Sequence, residues 1–206
     1  MIRHGQTEAN AARVMAGHTD SPLTALGREQ AAKARDIMKA LNIKPAGVFH
    51  SHLSRARDTA LILNEWIGAP IFEDPDLAEI HAGDFEGAPY EICGELMFNG
   101  WPEVPNGESP QAFFTRVKRG KSKAIAQYND PVLIVCHGGV MRAFGALYGL
   151  PTPGKFKNAH LYEFHPATAQ KTFPWDVYEY SVCEDSGEII KSRSEIYDSA
   201  AAEIAL

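Results

Sequence analysis

An arginine and a histidine stand side by side near the start of the chain, in the segment Arg3-His4-Gly5-Gln6-Thr7-Glu8-Ala9-Asn10. The arginine supplies a permanent cation, and a neutral imidazole supplies a nitrogen nucleophile. A histidine accepts a phosphoryl group when guanidinium and amide groups neutralise the transferring oxygens. The pair therefore suits phosphoryl transfer, provided that other segments supply a second cation and a proton donor.

Three later segments contain groups of this kind. Arg55 lies in the first turn of a predicted helix, whose N-terminus adds positive potential for an anion. Glu79 lies between apolar residues in a segment without periodicity. His137 follows the apolar, mostly β-branched run Val132–Val135 and precedes Gly138. Such a run is typical of a buried strand, so His137 is expected at a strand end.

Together the four segments resemble those of the histidine phosphatase superfamily, in its phosphoglycerate mutase-like group, from Arg3 to about Phe164. The resemblance implies that His4 forms a phosphohistidine and that water then hydrolyses it. It further implies the remaining roles: Arg3 and Arg55 clamp the phosphoryl oxygens, His137 stabilises the transferring group, Glu79 acts as general acid and then base, and Thr7, Asn10 and the Gly138 amide bind phosphate. Asp84, Glu86 and Glu108 are alternatives for the acid–base role.

Strands alternate with helices along the chain, which predicts a three-layer α/β/α sandwich with a mainly parallel sheet, as one domain over residues 1–206. Ligands of such sheets gather at the carboxyl ends of the strands. Only Met1 and Ile2 precede Arg3, so the first strand is expected either to be short or to continue before residue 1. The predicted helices are Ala25–Met38, Ser54–Ile67, Pro89–Met97, Pro110–Tyr128 and Gly138–Leu147, and the late strands are Ala159–Phe164 and Phe173–Val182, with a loop at Asn10–Pro22 and a polar tail after Glu184.

Composition narrows the function classes. A net charge of −6 argues against a surface built to bind nucleic acid or an anionic membrane. Three irregularly spaced cysteines argue against a disulfide framework and favour a reducing cytoplasm. We expect no signal peptide, membrane span, metal or other cofactor. The expected partner is a small phosphomonoester, and a homodimer is an open possibility.

A second nucleophile must be weighed. Cys136 and Arg142 are separated by five residues, the spacing with which thiolate phosphatases hold phosphate beneath a strand-to-helix turn. Those enzymes usually carry a histidine before the cysteine and a serine or threonine after the arginine, whereas this chain has Val135 and Ala143. A Cys136 mechanism also leaves the Arg3-His4 pair without a role.

The resembled family contains both phosphatases and mutases. A mutase must hold a bisphosphate, which requires further basic residues, yet no Lys or Arg lies between Glu79 and Gln111. Hydrolysis is therefore favoured, with a cofactor-dependent phosphoglycerate mutase as the alternative and a catalytically silent phosphate-binding module as a third. Trp101, Phe113 and Phe114 are candidates for an apolar pocket that receives the leaving group.

Overall fold

Four parallel strands form the central sheet. The computed structural model describes residues 1–150, 155–168, 172–183 and 185–198. The strands are β1 (Ile2–Arg3), β2 (Val48–His50), β3 (Ile71–Glu73) and β4 (Leu133–Cys136), in the order β1-β4-β2-β3. β4 pairs with β1 on one side and with β2 on the other, so it occupies the middle of the sheet.

Successive residues of each strand enter two different apolar clusters, because side chains of a strand alternate between its faces. Val48, Leu133 and Val135 join one cluster, and Phe49 and Ile134 join the other. Two helices, α2 (Ala25–Ala40) and α3 (Ser54–Ile67), supply the first cluster. Three others, α4 (Tyr90–Asn99), α5 (Pro110–Ala126) and α6 (Gly138–Ala146), supply the second. The predicted three-layer α/β sandwich is confirmed.

The helix starts follow local capping chemistry. Thr24 accepts a hydrogen bond from the Gly27 amide at 3.0 Å and caps α2. Ser109 accepts one from the Ala112 amide at 3.3 Å and caps α5, with proline at the first helical position. Single turns of 3₁₀ helix occur at Pro75–Leu77 and Gly83–Phe85.

The late strands form a separate antiparallel sheet of β5 (Tyr162–Pro166), β6 (Trp175–Val182) and β7 (Ile189–Arg193). Ile2 joins this sheet to the central one, since it pairs with Val135 and also bridges Leu161. β7 lies in the segment that the sequence predicts to be a polar tail. None of the helices within the described residues is long and apolar enough to cross a membrane.

The segment predicted as a loop from Asn10 begins instead inside a short helix, α1 (Glu8–Ala12). Thr7 and Asn10 form its capping box, in which each side chain accepts from the other residue's amide at 3.2 Å. Five residues are too few to show an apolar period, so the sequence pattern gives no signal for this helix.

Candidate active site

The carboxyl ends of three strands bring three polar side chains together. His4 follows β1, Ser51 follows β2 and His137 follows the central strand β4. The His4 and His137 rings lie 5.1 Å apart between centroids, and His137 Nε2 lies 2.7 Å from Ser51 Oγ. Parallel pairing thus places residues from distant segments at one edge of the sheet.

His4 is held as a neutral imidazole with a defined tautomer. Its Nδ1 lies 2.7 Å from the Gly5 carbonyl oxygen, which can only accept, so Nδ1 carries the proton and Nε2 keeps its lone pair. Burial, together with the Arg3 and Arg55 cations, holds the pKa of His4 well below its usual range. The ring is therefore an available nucleophile over the whole neutral range.

Gly5 serves packing as well as the turn. A Cβ at Gly5 would lie 2.3 Å from the Gly27 carbonyl oxygen, so only glycine lets the chain approach α2 this closely. The Gly5 amide donates to Thr59 Oγ1 at 3.1 Å, and Thr59 in turn donates to the Arg55 carbonyl. The loop that carries His4 is thereby tied to both α2 and α3.

His137 is fully buried and has one unused ring nitrogen. Its Nε2 contacts Ser51 Oγ, whereas its Nδ1 has no hydrogen-bond partner. Ser51 is also fully buried, and its Oγ accepts from the Leu53 amide at 3.1 Å. Burial and the neighbouring Arg55 hold the pKa of His137 well below its usual range. The sequence analysis did not single out Ser51, although its place directly after a strand is the same as that of His4 and His137.

Two guanidinium groups flank His4, of which Arg55 is buried and Arg3 is half-buried. Arg55 donates to the carbonyl oxygens of Gly17 and Thr19, at 2.7 and 3.1 Å. Arg3 donates to the Phe156 carbonyl at 2.7 Å, and its Nε has no partner. Neither has a carboxylate salt-bridge partner among the described residues, so both charges remain available to an anion.

Glu79 reaches the N-terminus of α6. Its Oε2 accepts from the Gly139 amide at 2.9 Å, and its Oε1 accepts from the Ile80 amide at 3.0 Å. A Cβ at Gly139 would lie 2.0 Å from Glu79 Oε1, so this carboxylate requires glycine there. The carboxylate is thus fixed by backbone amides from both sides.

The other candidate acids are engaged elsewhere. Glu86 accepts from the amides of His18 and Thr19, at 2.7 and 2.8 Å. Glu108 forms an ion pair with Arg116 at 2.7 Å, and Asp84 accepts from the Asn106 amide group at 2.8 Å. Of the four candidates, only Glu79 lines the cavity beside His4.

One cavity of about 980 Å³ contains these groups. Seven of the eight residues that the sequence analysis selected line it: Arg3, His4, Thr7, Asn10, Arg55, Glu79 and Gly138. The eighth, His137, is fully buried, with its ring centroid 5.1 Å from that of His4. We call Arg3, His4, Arg55 and Glu79 the phosphate pocket.

The family model of the histidine phosphatase superfamily (branch 1) matches residues 1–172. The chain belongs to this superfamily. The glucosyl-3-phosphoglycerate phosphatase of Mycolicibacterium vanbaalenii is 34% identical over 168 residues, which cover 73% of this chain and 74% of that protein. A probable phosphoglycerate mutase, GpmB of Serratia proteamaculans, is 33% identical over 165 residues, with the same two coverages of 73% and 74%.

The solved structure of a mycobacterial glucosyl-3-phosphoglycerate phosphatase in complex with VO3 is also similar. It superposes with a TM-score of 0.68 at 27% identity, over 94% of this chain and 95% of that one. The predicted membership of the histidine phosphatase superfamily is confirmed, and with it the prediction of a phosphatase that works through a phosphohistidine.

Two further polar side chains of this superfamily member lie in the cavity. Asn158 donates to the His4 carbonyl at 2.9 Å and to Asn10 Oδ1 at 3.3 Å. The Asn10 amide group in turn donates to the Tyr90 hydroxyl at 3.3 Å. The sequence pattern contains no signal for Asn158 or Tyr90, because both come from segments distant from the motifs.

The thiolate alternative is wrong. Cys136 is fully buried on β4 and does not line the cavity. Burial raises the pKa of its thiol to about 12, so it carries no thiolate at neutral pH. Arg142, the other half of that motif, donates instead to the carbonyl oxygens of Met97 and Gly100.

Proposed function

We propose that this superfamily member hydrolyses a small phosphorylated metabolite through a phosphohistidine on His4. The observation that carries the proposal is the state of the His4 ring. Its Nδ1–H is bound to the Gly5 carbonyl, so the lone pair of Nε2 is free, and two guanidinium groups without carboxylate salt-bridge partners line the same cavity.

In the first step, His4 Nε2 attacks phosphorus while the bond between phosphorus and the leaving oxygen breaks. Arg3 and Arg55 bind the equatorial oxygens, which carry the negative charge of the transition state. Glu79, in its protonated form, gives its proton to the leaving oxygen. The products are a neutral alcohol, the phosphohistidine and the Glu79 carboxylate.

In the second step, water attacks phosphorus and the bond between phosphorus and Nε2 breaks. The Glu79 carboxylate takes a proton from the attacking water, which regenerates the acid and releases inorganic phosphate. Glu79 is suited to both steps, since the Gly139 and Ile80 amides hold it at one place in the cavity.

His137 assists through its Nδ1. In our proposal the Ser51 hydroxyl donates to Nε2, because Ser51 Oγ already accepts from the Leu53 amide and Nε2 lies 2.7 Å away. The proton of the neutral ring is then on Nδ1, the buried nitrogen that has no hydrogen-bond partner among the described residues. This N–H is suited to donate to a phosphoryl oxygen.

Acid-type activity belongs to the proposal. The pKa of His4 lies well below the ordinary 6.5, so its lone pair is retained as the pH falls through 6.5. This state of His4 permits activity under mildly acidic conditions.

A phosphoglycerate mutase is the second candidate, supported by the similarity to GpmB proteins. A mutase needs further cations for a second phosphate, and helix α5, which contains many of the basic residues, contributes little to such a site. Arg116 is paired with Glu108, Arg119 with Asp76 and Lys123 with Asp74. None of these three cations lines the cavity. Of the three other cations that do, Arg13 is paired with Glu91 and Arg142 donates to two backbone carbonyls, which leaves the exposed Lys155 for a second phosphate. One exposed lysine is a weak bisphosphate site, so hydrolysis is the better-supported activity.

A cytoplasmic location and a homodimer complete the proposal. Cys93, Cys136 and Cys183 are free thiols, which suits a reducing compartment. Ile92 and Leu96 on α4 are 70% and 55% exposed, an apolar surface that a second copy would cover. Sedimentation of the wild type beside a variant with both residues changed to Ser would test the dimer.

The test is hydrolysis of p-nitrophenyl phosphate in EDTA by wild type, His4→Ala and Cys136→Ala. We expect His4→Ala to lose activity by about 10⁴-fold or more, because the nucleophile is absent, and Cys136→Ala to retain most of it. Acid quenching of the wild type with a ³²P-labelled substrate, followed by alkaline gel analysis, should trap acid-labile phosphohistidine. An inactive wild type that still binds phosphate would favour the binding module, and loss in Cys136→Ala alone would refute the His4 assignment.

A further inference from the structure

The cavity is much larger than the phosphate pocket requires. Its volume of about 980 Å³ is near the upper limit of small-molecule sites. The phosphate pocket uses four of the lining residues, and most of the remainder are available to the leaving group. The remaining lining residues therefore determine which leaving groups fit the cavity.

Much of that lining is apolar and comes from two segments. Met97, Phe98 and Trp101 lie at the end of α4 and just after it, and Ile196 lies in the segment that follows β7. We call these four residues the apolar wall. Phe98, Trp101 and Ile196 are each partly exposed, so they offer surface to a ligand.

Neighbouring side chains hold the apolar wall in place. The Arg142 guanidinium lies 4.8 Å from the Trp101 ring and donates to the Met97 carbonyl at 2.6 Å. Phe114 contacts Trp101 edge to face, with centroids 4.8 Å apart. Of the three aromatic residues that the sequence suggested for this pocket, only Trp101 lines the cavity, and Phe113 and Phe114 support it. A preformed wall binds a ligand without first having to be ordered.

Three cations line the cavity near this wall. Arg13 is paired with Glu91 at 2.9 Å, and Arg142 donates to the carbonyl oxygens of Met97 and Gly100. Lys155 is exposed, with its Nζ 5.7 Å from the Phe98 ring centroid, and forms no ion pair among the described residues. The apolar wall itself carries no charge, so its contribution to binding is burial of apolar surface.

We infer that the substrate is a phosphomonoester whose leaving group carries an aromatic ring or an apolar branch of similar size, bound against the apolar wall. This inference rests on the proposed function. It names the substrate class and disfavours small leaving groups without an apolar part, such as that of 3-phosphoglycerate.

The test compares 2-phenylethyl phosphate with ethyl phosphate, two esters that release primary alcohols and differ mainly in the ring. We expect kcat/KM to be about 10- to 100-fold higher for the phenylethyl ester, because the ring is transferred from water to the apolar wall. Equal values, or a higher value for 3-phosphoglycerate than for the phenylethyl ester, would overturn the inference.

Variants locate the preference on the apolar wall. Phe98→Ala and, separately, Ile196→Ala should each lower the ratio of the two kcat/KM values by about 3- to 10-fold. Leu96→Ala is the matched control on α4, since Leu96 is 55% exposed and does not line the cavity. An unchanged ratio in both wall variants would refute the placement.

p-Nitrophenyl phosphate separates this inference from the proposed function. If the wild type hydrolyses it in a His4-dependent manner but shows no preference for the phenylethyl ester, only the substrate class is wrong. If the wild type hydrolyses none of the four esters, the proposed hydrolase itself is wrong.

Discussion

The phosphate pocket and the apolar wall share one cavity but are built in different ways. The pocket lies where β1, α3 and α6 begin or end, and its groups are fixed by backbone hydrogen bonds, as His4 is by Gly5 and Glu79 by Gly139. The wall consists of side chains on the periphery, from α4 and the segment after β7. The proposed phosphoryl transfer and the proposed selection of the leaving group thus rest on separate parts of the fold. Either part can therefore change without the other.

Substitution of Gly139 tests the backbone hydrogen bonds of the phosphate pocket. It should have the largest effect among the variants that leave the four residues of the pocket unchanged. In Gly139→Ala the new Cβ would lie 2.0 Å from Glu79 Oε1, so the carboxylate must leave its place. We expect kcat for p-nitrophenyl phosphate to fall by about 100-fold, as for a misplacement near 1 Å.

Gly138→Ala is the matched comparison, since its Cβ would lie an acceptable 3.6 Å from Arg3 Nε. It should cost less than about one tenth of the loss seen at Gly139, in the same assay. Equal losses in the two variants would show that the start of α6 tolerates no side chain. The clash with Glu79 would then not explain the loss of kcat in Gly139→Ala.

Ser51→Ala tests the hydrogen bond between Ser51, which follows β2, and His137, which follows β4. Without the hydroxyl, nothing fixes the proton of His137 on Nδ1, and we expect kcat to fall by about 10- to 100-fold. Ser54→Ala removes a hydroxyl from the same segment that donates only to Asp20 on the surface, and should stay within about twofold. A Ser51→Ala enzyme of full activity, with a normal melting temperature, would contradict the proposed hydrogen bond.

The pH dependence of the free energy of unfolding distinguishes the phosphate pocket from the apolar wall. The folded-state pKa values of His4 and His137 lie well below 6.5, whereas the unfolded imidazoles take up protons near 6.5. Acidification below pH 6.5 therefore favours the unfolded chain, by up to about 1.4 kcal/mol per pH unit for each imidazole until the folded-state pKa is reached.

Urea unfolding at pH 7.0 and 5.5 measures this effect. His4→Asn should reduce the loss of unfolding free energy on acidification, whereas Phe98→Ala, in the apolar wall, should destabilise the protein equally at both pH values. An unchanged pH dependence in His4→Asn would mean that folding does not lower the pKa of His4.

Substitution of Arg13 should have the smallest effect on activity, and it tests the mutase alternative directly. Its ion pair with Glu91 is exposed, so Arg13→Ala should change kcat/KM for p-nitrophenyl phosphate by less than about threefold. A loss of more than tenfold, together with activation by a bisphosphate, would place a second phosphate beside the apolar wall and favour the mutase.

The sequence selected residues that the fold brings into one cavity, because most of them lie in short motifs at element ends. His4 and His137 follow apolar strand residues, and Arg55 lies in the first turn of a patterned helix, so their convergence follows from the topology of a parallel sheet. Ser51 was within reach of the same reasoning, since it follows β2. Its importance depends on β2 lying next to β4, which the sequence alone does not fix.

The apolar wall was predicted only through Trp101. Phe98 and Ile196 line the same cavity because the chain returns to it after β7, and β7 itself is a largely exposed strand without apolar alternation. The helix α1 was hidden for a different reason, since its short capping box reads equally well as a turn. Local propensity determines neither of these long-range arrangements.

The segment that carries His4 is also held by the far half of the chain. The His4 amide donates to the Cys136 carbonyl at 3.0 Å, and the Ala159 amide donates to the Arg3 carbonyl at 2.9 Å, beside the bridge between Ile2 and Leu161. Contacts between such distant segments form slowly, because a long loop must close before they are gained. During synthesis, a chain that has not yet passed residue 161 can pair β1 with β4 but lacks the contacts at Ala159 and Leu161, so the position of His4 is completed late in folding.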